Sequence, residues 1–174
     1  MIIGKISIFG KNALPTISNE HNRAHGGELF TAGVSNAALG ASASLFIEIN
    51  IPASIEMHLK AYTFYNGDNG TIELLEAPTL TTGAAALTAF NKKRSSTRIS
   101  SMILKSNPTG ISSGVSLDKM SFKGTNQHPG ILVISDWEWI LKPSTVYLVS
   151  LTNDGVGNEQ AYLRIFFYEA EAAE

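Results

Sequence analysis

Two histidines four residues apart, His21 and His25, are the first residues of the chain whose spacing suggests chemistry. On a helix that spacing would put both imidazoles on one face, within reach of a single metal ion. The intervening Asn22 and Arg23 and the following Gly26-Gly27 pair argue against a helix, so these rings are expected to hydrogen-bond loop backbone or to touch a partner, and no metal site is assigned. Paired carboxylates are the second possibility, because glycoside cleavage needs an acid and a base or nucleophile flanking one bond. Asp136 and Glu138 share one face of a strand by their spacing, while Trp137 and Trp139 alternate with them. That pattern reads as a solvated face over a tryptophan-lined core. Glu73 and Glu76 differ in parity and point to opposite faces. His58 alternates with Met57 and Leu59 and reads as an exposed cross-strand residue, and His128 before Pro129 reads as part of a turn.

Other reactive patterns are missing from the sequence. It has no cysteine, hence no disulfide, no thiolate metal ligand and no cysteine nucleophile. There is no Gly-x-Ser-x-Gly elbow and no Walker-type loop. Asn69-Gly70-Thr71 matches the glycosylation acceptor pattern, but Met1–Phe9 lacks the long apolar region of a secretory signal, so the match carries little weight. No stretch approaches the roughly 20 apolar residues that cross a bilayer as a helix. The formal charge of −2 leaves no excess for phosphates, and Lys92, Lys93 and Arg94 form the one basic cluster. The reading is a soluble, non-enzymatic protein without cofactor, direct nucleic-acid contact or membrane contact.

The elements that must carry these residues are strands. The chain is 44% hydrophobic and only 16% charged, so its surface rests on Ser, Thr, Asn and Gly, which suits a rigid β scaffold. Ile2, Gly4, Ile6 and Ile8 alternate with Ile3, Lys5, Ser7 and Phe9, a strand period. Lys11–Gly27, with Pro15, shows no period and reads as an extended arm. Further strands are expected over Leu29–Val34, Leu45–Ile51 (stopped by Pro52) and Met57–Tyr62. A turn over Asn66–Gly70 should join this last run to Thr71–Glu76 as its hairpin partner. Ala84–Leu87 reads as loop or short strand, and Met102–Ser106 as a strand ended by Asn107-Pro108. Gly110–Gly124 is expected to be a polar, mobile stretch. Gly130–Ser135, Trp137–Leu141, Thr145–Thr152 and Ala161–Tyr168 are the clearest strands, with turns at Lys142-Pro143-Ser144 and Asn153–Asn158. Many short strands without a strong helix imply an all-β fold, a β-sandwich or jelly roll with long loops. The chain then forms a single domain over 1–174: strand and arm in 1–27, sandwich in 28–168, and a frayed Glu-Ala tail in 169–174. Tyr62, Phe64, Tyr65, Tyr147, Tyr162, Phe166, Phe167 and Tyr168 fall in strands, where most should pack in the core.

Four segments, in order, resemble the head decoration (cement) proteins of tailed bacteriophages. They are His-Asn-Arg-Ala-His-Gly-Gly-Glu-Leu-Phe at His21–Phe30, Glu-Ala-Pro-Thr at Glu76–Thr79, Phe-Asn-Lys-Lys-Arg-Ser at Phe90–Ser95, and Glu-Trp-Ile-Leu-Lys-Pro-Ser-Thr-Val-Tyr-Leu at Glu138–Leu148. The N-terminal strand and the Pro15 arm are not part of this pattern. The resemblance implies a β-rich virion protein on the outer capsid surface, bound to the shell of the major capsid protein. A homo-oligomer, dimer or trimer, suits such a lattice. Polar loops are more accessible than strands, so the expected capsid contacts are His21, Arg23, His25, Glu28 and Phe30 from the first segment, with Asn91, Lys92 and Arg94 from the third. The rival reading is a lectin-like, carbohydrate-binding module that attaches to host glycans through exposed aromatics. A small hydrolase built on Asp136 and Glu138 ranks behind it.

Overall fold

A computed structural model describes residues 19–81, 84–124, 130–133 and 138–171. Among these lie one helix, α1 (Asn19–Gly26), and twelve strands: β1 (Leu29–Leu39), β2 (Ser44–Asn50), β3 (Ile55–Asn66), β4 (Gly70–Glu76), β5 (Ala85–Ala86), β6 (Phe90–Asn91), β7 (Ile103–Ser106), β8 (Val115–Phe122), β9 (Gly130–Val133), β10 (Trp139–Leu141), β11 (Val146–Asn153) and β12 (Glu159–Glu171). The expected strand over Ile2–Phe9, His128, Asp136 and Trp137 lie outside the described residues.

The strands form two antiparallel six-stranded sheets packed face to face. One runs β10-β3-β12-β1-β6, with β9 also on β3; the other runs β5-β7-β2-β11-β4-β8. β9 pairs with Thr63–Asn66 and β10 with Met57–Leu59, so the two share one position, end to end along β3. The eight central positions, β1-β12-β3-β9/β10 against β2-β11-β4-β8, have the wrapped order of a jelly roll. The even residues Phe30 and Ala32 of β1, Ile47 and Ile49 of β2, and Leu163, Ile165 and Phe167 of β12 meet in one core with Phe64, Leu74 and Val149. The two-residue period makes this possible, since each strand gives one face to its opposite sheet.

Several expectations are corrected. β3 and β4 are not a hairpin. A tight hairpin turn needs positive φ at its central residues, and none of residues 66–70 has it. The Asn66 amide instead donates to Asp68 O (3.1 Å) and Asn69 O (2.8 Å), opening a wide turn that carries the chain to the other sheet. There β4 pairs with β11 and β8. Residues 115–122 are the paired strand β8, with Leu117, Met120 and Phe122 against the core. The 169–174 tail is ordered into β12 as far as Glu171. Buried Glu169 accepts from the Ser101 amide at 2.9 Å, and a carboxylate bonded to backbone N–H groups anchors the strand end.

The arm reading is corrected over residues 19–26, which are helical, while residues 11–18 with Pro15 lie outside the described residues. Glu28 N donates to Arg23 O (2.9 Å) and Gly27 N to Ala24 O (3.1 Å), the paired bonds of a glycine C-terminal cap. Gly27 has φ +71°, and an added Cβ would lie 2.6 Å from Ser96 Oγ. The glycines that argued against a helix are therefore its stop.

Candidate functional site

Two segments far apart in sequence meet at the corner where β1 begins. α1 leads into β1, and β6 pairs beside it, with Phe30 opposite Asn91 and Thr31 opposite Phe90. Asn91 ties the corner together: its amide donates to Gly27 O (2.8 Å) and Arg98 O (3.1 Å), and its carbonyl accepts from Lys93 N (2.9 Å). Among the eight expected contact residues, two are buried. Phe30 is fully buried in the core, stacked on Phe167, because the strand parity turns it inward, and Asn91 is buried by the bonds just described. His21 and His25 are exposed, their ring centroids 4.5 Å apart on one side of α1. No group of three or more His, Cys, Asp or Glu suited to a metal is found among the described residues. Lys92 and Arg94 are exposed and lean over Phe166 (5.3 Å) and Phe90 (5.8 Å). Arg23 bonds Glu28 at 3.1 Å, and Arg98 comes within 3.9 Å of the same carboxylate. The outcome is a corner whose outward groups are Lys92, Lys93, Arg94 and the two histidines, offset by Glu28.

Beneath α1 lies a cluster that the sequence did not reveal. Arg23 packs its guanidinium 3.6 Å from the centre of the Tyr168 ring, a cation–π contact that seats the helix on the sheet. His58 stacks on the same ring at 4.3 Å between centroids. Glu138 accepts from the Tyr168 hydroxyl, from His58 and from Lys60, the last at 2.8 Å. His58 is therefore not an exposed cross-strand residue: its side chain is 13% exposed, because Tyr168 lies opposite it on β12 and presents a flat apolar face. Glu138 is not simply solvated either. Desolvation would raise its pKa, but the hydrogen bonds from Lys60, Tyr168 and His58 outweigh it and hold the carboxyl at about 2. Burial, then the bond to Glu138, pushes the Tyr168 phenol up to about 12. A general acid near neutral pH needs a raised carboxyl, so Glu138 is tuned in the opposite direction. Its chemistry here is that of a fixed anion holding cations.

Glu73 and Glu76 behave as parity required. Glu76 sits opposite Tyr147 at the end of β4 and accepts from its hydroxyl (2.8 Å) and from Lys142 (2.8 Å), bonds that lower its pKa. Glu73 faces outward to Lys119 at 3.5 Å. Tyr62, Phe64, Tyr147 and Phe167 are core residues. Tyr65 and Tyr162 lie half-buried on the outer face of the β1 sheet, their rings parallel at 5.8 Å.

A second feature runs along β1. A groove of about 400 Å³ is lined by Thr31 to Ser35, Phe90 and Tyr162 to Arg164. The alternation of β3 with β12 held the signal for the Tyr168 cluster, but only once their register was known. Compared with models of known protein families and with curated proteins, the chain matches none.

Proposed function

We propose that the chain is a non-enzymatic virion protein that decorates and stabilises the outer surface of a tailed-phage capsid, docking through the basic corner of α1 and Lys92–Arg94. The observation that carries this reading is the convergence of two of the four segments that resemble decoration proteins, His21–Phe30 and Phe90–Ser95, at one corner with exposed cations. A jelly roll supports it, since rigid double sheets of this kind serve as capsid and lectin domains. The partner is the major capsid protein, contacted at an acidic surface between neighbouring subunits. Bridging them adds interfaces that internal pressure must break before the shell ruptures. Repetition on the lattice supplies avidity, and a dimer or trimer fits a symmetric position.

The test is co-sedimentation of the purified protein with mature, undecorated shells, against unrelated shells. Saturable binding at a fixed copy number per capsomer, with greater resistance of the shell to heat, is expected. Lys92→Glu with Arg94→Glu should weaken that binding about tenfold or more, and added salt should weaken the unaltered protein's binding too. No binding to shells, with binding on a glycan array, would instead favour the lectin-like module.

A further inference from the structure

The β1 edge is left open where it most needs a cover. β6 pairs with only Phe30 and Thr31, and beyond them no described strand lies on that side of β1. Leu29 O accepts from Lys92 N on this side, so the two-residue period turns the N–H and C=O of Gly33 and Ser35 the same way, into the groove. Exposed edges are normally blunted by charge, proline or a bulge that twists them away. Residues 29–35 of β1 carry none of these: they are uncharged, contain no proline, and keep an unbroken register with β12. Half-buried Val34 and Phe90, 54% exposed, supply apolar surface at the rim. Gly33 keeps the path shallow, since a Cβ there would lie 3.1 Å from Leu163 O and 3.4 Å from Arg164 Cβ.

We propose that the N-terminal segment Ile2–Phe9 of the same chain adds to this edge as an antiparallel strand. Antiparallel pairing with Lys5 or Ser7 opposite Ser35 lays it along Ala32–Asn36, the open residues before β1 shifts register with β12, and its period matches too. Ile2, Ile6 and Ile8 supply an apolar face on the core side with Val34, and Lys5 and Ser7 fall on the outward face with Gly33, Ser35 and Phe90. Direction follows from reach. The linker Gly10–Ser18 spans about 30 Å at most. An antiparallel segment brings Phe9 to the Ala32 end, beside α1, well within that reach, whereas a parallel one carries it toward Leu39, up to about 30 Å from the start of β1, and requires a fully extended linker. Parity places Lys5 or Ser7 beside Ser35 and sends Ile6 to the other face. This inference stands whether or not the capsid reading does.

The chain has no cysteine, so engineered pairs report without background. In the full chain, Ser35→Cys is combined in turn with Ile3→Cys, Lys5→Cys, Ser7→Cys and Ile6→Cys and oxidised at low concentration. An intramolecular disulfide from one of the first three, and none from Ile6→Cys, is the expected result. Amide exchange gives a second reading: Gly33 and Ser35 should be protected in the full chain and exchange at least tenfold faster after deletion of residues 1–9. Disulfide dimers whose yield rises with concentration would overturn the proposal in favour of a second copy on the edge. Absence of any disulfide, with exchange unchanged by the deletion, would overturn it outright.

Discussion

Where β1 ends and β3 crosses to β4, the sandwich is sealed by two amides. Buried Asn153 donates to the carbonyls of Leu39 (2.9 Å), Gly40 (3.2 Å) and Gly157 (2.9 Å), and its own oxygen accepts from Gly155 N (3.0 Å) and the Asn66 amide (3.2 Å). Three loops are thereby joined by groups that carry no charge. At the opposite end, beneath α1, the same task falls to Arg23, Glu138, Lys60, His58 and Tyr168, with Glu76 and Tyr147 on the facing sheet and Lys142 in the turn before β11. Neutral bonds to backbone carbonyls are short-ranged and independent of salt, so they hold a closed end. Charged groups at a partly exposed end reach outward and respond to solvent, which suits an end that meets something else.

The largest effect should come from breaking the neutral end. Asn153→Ala would strand several buried backbone groups at once, and the desolvation cost of unsatisfied groups sets the loss at about 3 kcal/mol. Chemical denaturation of variant and parent would show it as a lower midpoint with an unchanged slope. A loss no greater than that of an ordinary surface substitution would mean that water replaces the amide and that the two ends differ less than their chemistry suggests.

How far this contrast was legible in the sequence depends on which residues carry it. Strand β2 and most of β12 were readable because their inward residues alternate, as in Leu45-Phe46-Ile47-Glu48-Ile49, and β7 and β11 because turn residues bound a short strand-like run. β8 was not, because an edge strand holding Asp118 and Lys119 breaks the apolar alternation while protecting the edge. The helix was hidden by Gly26-Gly27, residues that stop a helix as readily as they prevent one, and only the cap bonds distinguish the two. Asn66 and Asn153 stood at recognised turns, yet their joining depends on long-range pairing across both sheets. Of the expected contacts, the exposure of Lys92 and Arg94 needed only loop accessibility to be read. Phe30 failed because alternation groups Phe30 with Ala32 without saying which face is inward.

The charged end should yield a smaller effect, and one that depends on pH. Glu138 is depressed to about 2 in the folded protein, below its ordinary value of 4.5. Its contribution is therefore present above pH 4.5 and lost as pH falls toward 2, because the unfolded chain takes up the proton first. Its side chain is 27% exposed, so screening reduces the contribution to about 1 kcal/mol. Glu138→Gln should flatten the acid limb of the stability profile in that window, while Asn153→Ala should lower the whole profile without changing its shape. Tyr168, raised to about 12, works in the other direction: its contribution is complete below pH 10 and is lost as pH rises through 12. An acid limb as steep in Glu138→Gln as in the parent would remove the charged cluster as the source of that dependence.

The smallest effect on folding should be at the residues assigned to docking. Lys92 and Arg94 are exposed and contact only ring faces, so charge reversal at both should change stability by no more than about 0.5 kcal/mol. Binding to shells should nevertheless fall in the same variant. That separation distinguishes a surface kept for a partner from one kept for the fold. Asn91, adjacent to Lys92 and three residues from Arg94, should behave in the opposite way: Asn91→Ala removes bonds to Gly27 and Arg98 and should loosen the corner together with any binding it supports. If instead Lys92→Glu with Arg94→Glu lowered stability as much as Asn91→Ala, the cations would belong to the closure of this end, and the difference between the two ends would be one of chemistry alone.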